Sequence, residues 1–318
     1  MGTRDRAAAA GAGHRGVARR PRVVGGRGGA AGVTTFVRGG FTRAGFVRVG
    51  GVPHHVEVTG RGPVCVLGAG LGLGWFDWDP VVPLLAPHRT VVRFDRPGLG
   101  LSGHARVAPT ARDEAERIVR VLDAVGLGGA PVTAVGHSLA GFHMEAFARL
   151  FPERTAGLVL VDSSVEEGLR TLLPRGMRVA ATRACGALLC TTGLPRAVGP
   201  ALRRLTAPTP WAWLYGSSRV WRAALMEYVT YGDTARELAA LRRRLPLPEG
   251  APVTVLAAYG GGSRRWLGRQ RRLAHALDAS FRVAAPSGHL VMRDRPAEVA
   301  RAVLAGGPIP EPAAHCPG

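Results

Sequence analysis

The alternation of short apolar strands with amphipathic helices constrains the fold of this chain more than any other feature of its sequence. It begins near Gly45 and predicts a mostly parallel sheet that helices cover on both faces. The first two strands alternate in polarity on either side of Gly50-Gly51, which is typical of a hairpin. Eight strands are predicted, at residues 46–49, 54–58, 63–67, 90–94, 130–135, 157–161, 253–257 and 281–284.

A long segment interrupts this alternation once. Residues 164–250 carry helical spacing, aromatic residues and seven prolines, without a strand pattern. An insertion of this length between two strands is too long for a loop, and it predicts a helical cap inserted after the sixth strand. The α/β core then comprises residues 44–163 and 251–305. Its helices are predicted at residues 78–86, 112–125, 139–151, 264–277 and 295–304.

The two ends of the chain lack such patterning. Residues 1–43 consist mainly of Gly, Ala and Arg and cannot bury enough apolar surface to offset the entropy of ordering, which predicts a disordered basic tail. Because this segment is rich in Arg and nearly free of acidic residues, a targeting segment and a tail upstream of the true start are the alternatives. Residues 306–318 are predicted to form a C-terminal tail. A cytoplasmic location is expected.

The formal net charge of +20 raises the alternative of a protein that binds nucleic acid. All 42 basic residues are Arg, and the chain holds 45 Gly and 24 Pro, which indicates a compositional bias along the whole chain. Nucleic-acid-binding proteins concentrate such charge on one face, so this function is not favoured. Apolar runs end well short of the ~18 residues of a membrane span. The four cysteines lack the spacing of a zinc site.

The strongest functional signal is Val135-Gly136-His137-Ser138-Leu139-Ala140-Gly141, between a predicted strand and a predicted helix. A sharp turn of this kind lifts a serine hydroxyl out of the sheet and is called a nucleophile elbow. The positions two before and two after the serine must be small. Gly136 meets this requirement, and Ala140 stands where Gly is usual. Ser138 is therefore the predicted nucleophile, and the helix directs the peptide N–H of Leu139 toward a developing oxyanion.

Two further loops follow predicted strands. Gly68-Ala69-Gly70-Leu71-Gly72 could supply a second peptide N–H to an oxyanion hole. A dinucleotide-binding loop is the competing interpretation, but position 73 is Leu, so the third Gly of that motif is missing. Ser287-Gly288-His289 follows the last strand, where a histidine can reach a serine at the same sheet edge. His289 is the predicted general base.

Together these residues resemble the α/β-hydrolase superfamily over residues 45–305. Gly136-His137-Ser138 and Gly288-His289 carry the resemblance, and so does Asp95-Arg96-Pro97-Gly98-Leu99-Gly100-Leu101-Ser102, which is similar to the DxxGxGxS turn after the fourth strand. The resemblance implies an α/β-hydrolase fold, a Ser-His-acid triad, an oxyanion-hole N–H at Leu71, and no metal or organic cofactor. A serine nucleophile argues against the dehalogenase and epoxide-hydrolase branches, which use Asp there.

The acid of the triad does not stand at its usual place. The resemblance places it after the seventh strand, where Gly260-Gly261-Gly262-Ser263 holds no carboxylate. Some members carry the acid after the sixth strand instead, and Asp162 occupies that position here, from which it would orient His289. The competing role for Asp162 is to cap the first helix of the cap. Glu166 and Asp233 are the alternative acids.

The sequence therefore predicts a serine hydrolase that cleaves a small to medium, apolar ester or related acyl compound. Trp211, Trp213 and Trp221 of the cap are predicted to line an apolar substrate pocket, although packing within the cap explains them equally well. A non-hydrolytic member of the same fold, such as a ligand receptor or a cofactor-free lyase, is the alternative. The oligomeric state stays open.

Overall fold

The computed structural model describes residues 34–39, 42–104, 107–165, 172–262 and 264–305 of the 318-residue chain. Its centre is one sheet with the strand order β1-β2-β3-β5-β4-β6-β7-β8-β9. The strands are β1 (Thr34–Gly39), β2 (Thr42–Val49), β3 (Val52–Gly60), β4 (Val64–Gly68), β5 (Thr90–Phe94), β6 (Val132–His137), β7 (Thr155–Val161), β8 (Val253–Ala258) and β9 (Ser280–Ala284).

The sheet changes direction across its width. Strands β1 to β3 pair antiparallel with one another, and β3 also pairs antiparallel with β5. From β5 through β4, β6, β7 and β8 to β9, all neighbouring strands run parallel. The parallel strands therefore end at one edge of the sheet, which is the edge where open α/β sheets bind ligands.

The mostly parallel sheet is confirmed, with nine strands instead of the eight predicted. The additional strand β1 pairs with β2, although the sequence predicts a disordered tail over residues 1–43. That prediction is wrong for residues 34–39 and 42–43. The β-branched Thr34, Thr35 and Val37 favour extended backbone, and the Gly- and Arg-rich composition around them hides this local preference. Residues 1–33 and 306–318, for which tails are predicted, lie outside the described residues.

The central strands are buried on both faces. Every residue of β4, β6 and β7 except Ala156 is buried, as expected for parallel strands between two layers of helices. Side chains of β4 alternate between the two layers: Val66 packs in the same cluster as Phe147, and Leu67 packs in the same cluster as Val303. Two apolar layers therefore hold the strand ends in place.

The core helices are close to their predicted positions. One difference is the predicted helix at residues 78–86, which divides into a 3₁₀ turn, Trp75–Trp78, and the short helix α1, because Pro80 between them has no N–H to donate to a helical hydrogen bond. The helices are α1 (Val82–Leu85), α2 (Ala111–Ala124), α3 (Leu139–Leu150), α4 (Arg175–Thr191), α5 (Leu194–Thr206), α6 (Ser218–Arg244), α7 (Arg264–Ala276), α8 (Val291–Asp294) and α9 (Pro296–Ala305).

Residues 172–250, here called the helical insert, join β7 to β8. They contain α4, α5, a 3₁₀ turn at Pro210–Gly216 and α6, and no strand is assigned within this fully described range. The long helix α6 packs against α2 and α3 of the core, so the insert lies along the core. Among the described helices, none combines the length and apolar composition that crossing a membrane requires.

Candidate active site

The elbow at Ser138 has the predicted geometry. Ser138 lies between β6 and α3 with a φ of 53°, an uncommon backbone conformation for a residue with a side chain. A Cβ at Gly136 would lie 2.5 Å from the carbonyl oxygen of Ala140, so this position requires glycine. The methyl group of Ala140 is accommodated by Gly68 on the neighbouring strand, where a Cβ would lie 2.9 Å from the Cβ of Ala140.

Ser138, His289 and Asp162 form one hydrogen-bonded chain at the carboxyl edge of the sheet. The distance from Ser138 Oγ to His289 Nε2 is 3.0 Å, and the distance from His289 Nδ1 to Asp162 Oδ2 is 2.6 Å. Because a carboxylate only accepts hydrogen bonds, Nδ1 carries the proton and Nε2 is free to accept from the serine. The structure therefore brings together the three residues of the predicted triad.

Asp162 is held by donors on its other oxygen. Its Oδ1 accepts hydrogen bonds from the peptide N–H of Ala258 at 2.9 Å and from the indole N–H of Trp266 at 2.7 Å. The side chain is buried, and both of its carboxylate oxygens accept hydrogen bonds. Trp266 lies in the first turn of α7, just beyond the Gly260–Gly262 turn, and no motif of the sequence indicates its contact with Asp162. The contact depends on how the helix that carries Trp266 is rotated against the sheet, which the sequence alone does not show.

The loop that carries His289 is fixed by a second histidine. His137 is buried directly beneath it, and its Nε2–H donates to the carbonyl oxygen of His289 at 2.8 Å. Burial, followed by the nearby charge of His289, lowers the pKa of His137 to about 3, so His137 is neutral near neutral pH. On the other side of the loop, the peptide N–H of Gly288 donates to Asp294 Oδ2 at 2.8 Å.

The glycine-rich loop after β4 lies directly against the elbow. A Cβ at Gly70 would lie 2.8 Å from His137 Nδ1 and 3.1 Å from Ser138 Cβ, so only glycine allows this approach. Leu71 follows Gly70, and Leu139 begins α3 at the other side of the serine. Leu71 and Leu139, the two residues predicted to form the oxyanion hole, thus directly follow Gly70 and Ser138, which are in contact with each other at the elbow.

Comparison with known proteins decides the family. A model described as the alpha/beta hydrolase family matches residues 64–302, which is most of the chain. This chain belongs to the alpha/beta hydrolase family. Its fold is accordingly shared with many solved structures. Cfl2 from Burkholderia cenocepacia superimposes with a TM-score of 0.64 at 24% identity, over 82% of this chain and 94% of that one. The enol-lactonase from Burkholderia xenovorans gives 0.60 at 18% identity, over 82% and 98%.

Curated relatives of this alpha/beta hydrolase match over shorter stretches. A 2-hydroxy-6-oxo-2,4-heptadienoate hydrolase from Pseudomonas putida is 33% identical over 121 residues, which is 37% of this chain and 43% of that protein. An AB hydrolase superfamily protein from Gibberella zeae is 31% identical over 132 residues, 40% of each. The matches thus cover about two fifths of the length of these relatives.

An ion pair between the core and the helical insert holds the glycine-rich loop of this alpha/beta hydrolase. Arg96 of the core donates to both oxygens of Glu227 on α6, at 2.6 and 3.0 Å. The same guanidinium donates to the carbonyl oxygens of Ala69 and Gly70, and Glu227 Oε2 accepts from the peptide N–H of Gly72 at 2.9 Å. Burial lowers the pKa of Arg96, but the carboxylate of Glu227 outweighs this and raises it.

Two cavities adjoin these residues. The triad cavity, of about 640 Å³, is lined by Ser138, Asp162, Ser164, Tyr231, Ala258, Tyr259, Gly260, Gly262, Trp266, Ser287, Gly288 and His289. The apolar cavity, of about 440 Å³, is lined by Leu71, Gly72, Leu73, Gly199, Leu202, Arg203, Thr206, Tyr215, Val220, Trp221, Ala224, Leu225 and Tyr228. The insert therefore contributes Tyr231 to the first cavity and most of the wall of the second.

The predicted tryptophans of the insert are placed differently from one another. Trp211 packs against Trp75 with ring centroids 5.0 Å apart, and 55% of Trp213 is exposed. Trp221 lines the apolar cavity, and its indole N–H donates to the backbone carbonyl oxygen of Tyr215 at 2.6 Å. Trp211 and Trp213 therefore line neither of these two cavities, and Trp213 instead lines a third cavity of about 730 Å³ on the insert.

Of the two alternative acids, Asp233 is engaged away from His289. Asp233 lies on α6, and both of its oxygens accept from Arg178 at 2.7 and 2.8 Å. Glu166 lies outside the described residues. Within the described ranges, no three His, Cys, Asp or Glu side chains gather in a way that could hold a metal ion.

Proposed function

We propose that this protein is a serine hydrolase that cleaves esters or related acyl compounds through an acyl-enzyme. The hydrogen-bonded chain from Ser138 Oγ through His289 to Asp162 carries the proposal, because it places a nucleophile, a base and an orienting acid in one line. The family match and the hydrolase names of relatives support it.

The mechanism follows from the positions of the protons. Ser138 Oγ attacks the carbonyl carbon while His289 Nε2 takes the hydroxyl proton, and Asp162 stabilises the imidazolium that forms. The peptide N–H groups of Leu71 and Leu139 stabilise the oxyanion of the tetrahedral intermediate. As that intermediate collapses, His289 gives its proton to the leaving group. Water then attacks the acyl-enzyme with His289 as the base, which releases the acid and restores the serine.

The helical insert acts as a cap over this site in the proposal. Tyr231 of α6 lines the triad cavity, and the insert forms most of the wall of the apolar cavity beside Leu71. An apolar cavity with few polar groups suits an aliphatic or aromatic acyl chain. Substrates are therefore small to medium esters with an apolar acyl side.

Fluorophosphonate labelling followed by a chain-length series of p-nitrophenyl esters tests the proposal. Ser138→Ala should abolish both labelling and turnover while the thermal unfolding midpoint stays close to that of the wild type. Ser218→Ala, a serine on the insert, is the matched control and should label normally. A phosphonyl adduct on Ser138→Ala at the native rate would overturn the assignment. Labelling of the wild type without ester turnover would instead favour the non-hydrolytic alternative.

A further inference from the structure

Exposed apolar side chains are concentrated on the helical insert. Most of the large apolar residues that are exposed in the described chain lie in its first helices and turns, whereas the core exposes few. On α5, Leu194, Val198, Leu202 and Leu205 are all exposed, and Leu205 exposes 84% of its surface. A contiguous exposed apolar surface on a folded protein marks a site of interaction.

The exposed residues of α5 lie on one face of the helix. Their spacing of four, four and three residues places them within about one quarter of the helix circumference. The opposite face is buried and carries Arg203, which pairs with Asp77 of the core. The orientation of α5 is therefore fixed by this buried face, and the apolar stripe points to solvent because of how the helix docks.

A second helix repeats the arrangement. Met177 and Leu188 of α4 are eleven residues apart, which places them on the same side of that helix, and both are exposed. Helix α4 contacts α5. Exposed apolar side chains thus lie on two helices that contact each other.

The charge of this region is of one sign. Residues 172–226 contain eight arginines and neither Asp nor Glu. Arg183, Arg196, Arg204 and Arg222 are exposed. A second copy of the chain would bring the same positive charge to a symmetric contact, so self-pairing through this surface is opposed by repulsion. An apolar helix face flanked by arginines fits an anionic lipid surface, where the apolar side chains enter the interface and the guanidinium groups meet the headgroups.

The apolar cavity opens at the same surface. Leu202 and Tyr228 line the cavity, and both are also exposed, with 73% of Tyr228 accessible. Leu71 lines the same cavity and follows Gly70, which lies against the elbow. An acyl chain that leaves a lipid layer at α5 therefore has an apolar path that ends beside the glycine-rich loop.

We propose that the helical insert docks on anionic lipid surfaces through the apolar faces of α4 and α5 and their exposed arginines. In this position the apolar cavity faces the lipid layer and takes up acyl chains from it. The docking itself is independent of the hydrolase activity, whereas the use of the acyl chain as a substrate rests on the function proposed above.

Vesicle flotation with the full-length protein tests the docking. The vesicles contain either equal parts of phosphatidylcholine and phosphatidylglycerol or phosphatidylcholine alone. The wild type and Ser138→Ala should float equally well with the anionic vesicles and poorly with the neutral ones, which separates docking from catalysis. Val198→Asp/Leu205→Asp changes only exposed side chains and should lower the bound fraction by about 10-fold or more, because charged groups replace the side chains that enter the interface.

The matched control changes exposed apolar residues of the core. Leu84→Asp/Val283→Asp alters the net charge by the same amount, and it should keep vesicle binding within about twofold of the wild type. An equal loss of vesicle binding in both double variants would assign binding to the overall charge. Equal retention of binding in both would assign it to the Arg-rich residues 1–33. Either result would overturn the proposal. A wild type that does not float, or that forms a dimer which only Val198→Asp/Leu205→Asp dissociates, would overturn it as well.

Discussion

The edge of the sheet that holds Ser138 and the helical insert beside it are built in different ways. At the edge, residues just beyond the ends of β6, β7 and β9, together with the last residue of β8, are joined by hydrogen bonds of 2.6 to 3.0 Å. The insert packs on the core through apolar side chains such as Leu214, Val220 and Leu238, and arginines add hydrogen bonds between the two regions. Arg219 of α6 donates to the carbonyl oxygens of Gly98 and Gly100, and Arg242 pairs with Glu145 of α3 at 2.8 Å.

This difference separates two kinds of function. Strands buried on both faces have one low-energy position, so they fix the direction in which an elbow points its serine. A buried ion pair between a helix and the core adds little net stability compared with well-packed apolar side chains, although removal of one partner alone is costly. Substitutions at the edge of the sheet should therefore affect the chemical step and lower kcat. Most substitutions in the insert should instead affect which acyl chain binds.

The largest effect is expected at Asp162. Asp162→Asn should lower kcat by up to about 10⁴, because the histidine tautomer with its proton on Nδ1 is no longer favoured, while KM stays near the wild-type value. Asp233→Asn on the insert is the comparison and should leave kcat within about twofold, because this carboxylate pairs with Arg178 and not with His289. Steady-state kinetics on one p-nitrophenyl ester measures both. A larger loss in Asp233→Asn than in Asp162→Asn would exchange the roles of the two carboxylates.

Glu227 is the exception that sharpens the comparison, because it belongs to the insert but holds the glycine-rich loop through Arg96 and Gly72. Glu227→Gln should lower kcat by about 10²-fold, the size expected when one oxyanion donor is misplaced, with KM changed less than about twofold. Glu237→Gln is matched to it, since Glu237 lies on the same helix and bonds to the peptide N–H of Ala111 at 2.7 Å. It should retain nearly full activity.

The readout specific for the oxyanion hole is the ratio of oxygen-ester to thionoester turnover. This ratio should fall in Glu227→Gln, because sulfur accepts the hydrogen bonds of the hole poorly. Removing one member of a buried pair destabilises a protein, so Arg96→Met/Glu227→Met, which removes both charges, decides the matter if the single variant unfolds. An unchanged kcat and ratio in this double variant would show that the pair only fastens the insert.

A smaller effect is expected at Trp266. Trp266→Phe keeps the ring and removes the donor to Asp162 Oδ1, which should lower kcat about 10-fold, in line with the loss of a hydrogen bond to a charged group. Trp213→Phe, on the exposed surface of the insert, should behave as the wild type. If the two variants have the same kcat, the indole N–H of Trp266 contributes nothing to holding the acid.

The smallest effect concerns the choice of substrate. Trp221→Ala enlarges the apolar cavity and should shift the preferred p-nitrophenyl ester toward longer acyl chains, with kcat on the best substrate changed only a few fold. Trp213→Ala should leave the preference unchanged, because this side chain is half exposed. An identical chain-length profile in both variants would place the acyl chain outside the apolar cavity.

The parts of the site that could be predicted are those that local sequence determines. The elbow at Ser138 and the loop at His289 follow strands whose apolar runs are visible in the sequence. Asp162 is implied by the resemblance to α/β hydrolases, some of which carry the acid after the sixth strand. Trp266 and Glu227 could not be predicted, because their roles depend on how whole helices are rotated against the sheet. The same limit explains the tryptophans of the insert, whose composition suggests a pocket but does not decide which rings face it.

The close approach of Gly68 and Ala140 has a consequence for how this sequence can vary. The methyl group that the elbow carries at position 140 occupies space that a side chain at position 68 would need. Gly68→Ala should therefore damage the fold as a single change, and Ala140→Gly should restore only part of the stability, because a Cβ at position 68 would also lie 2.6 Å from Met144 Cε. The side chains that position 68 can accept are thus set jointly by one residue of the elbow and by one residue of the helix that follows it.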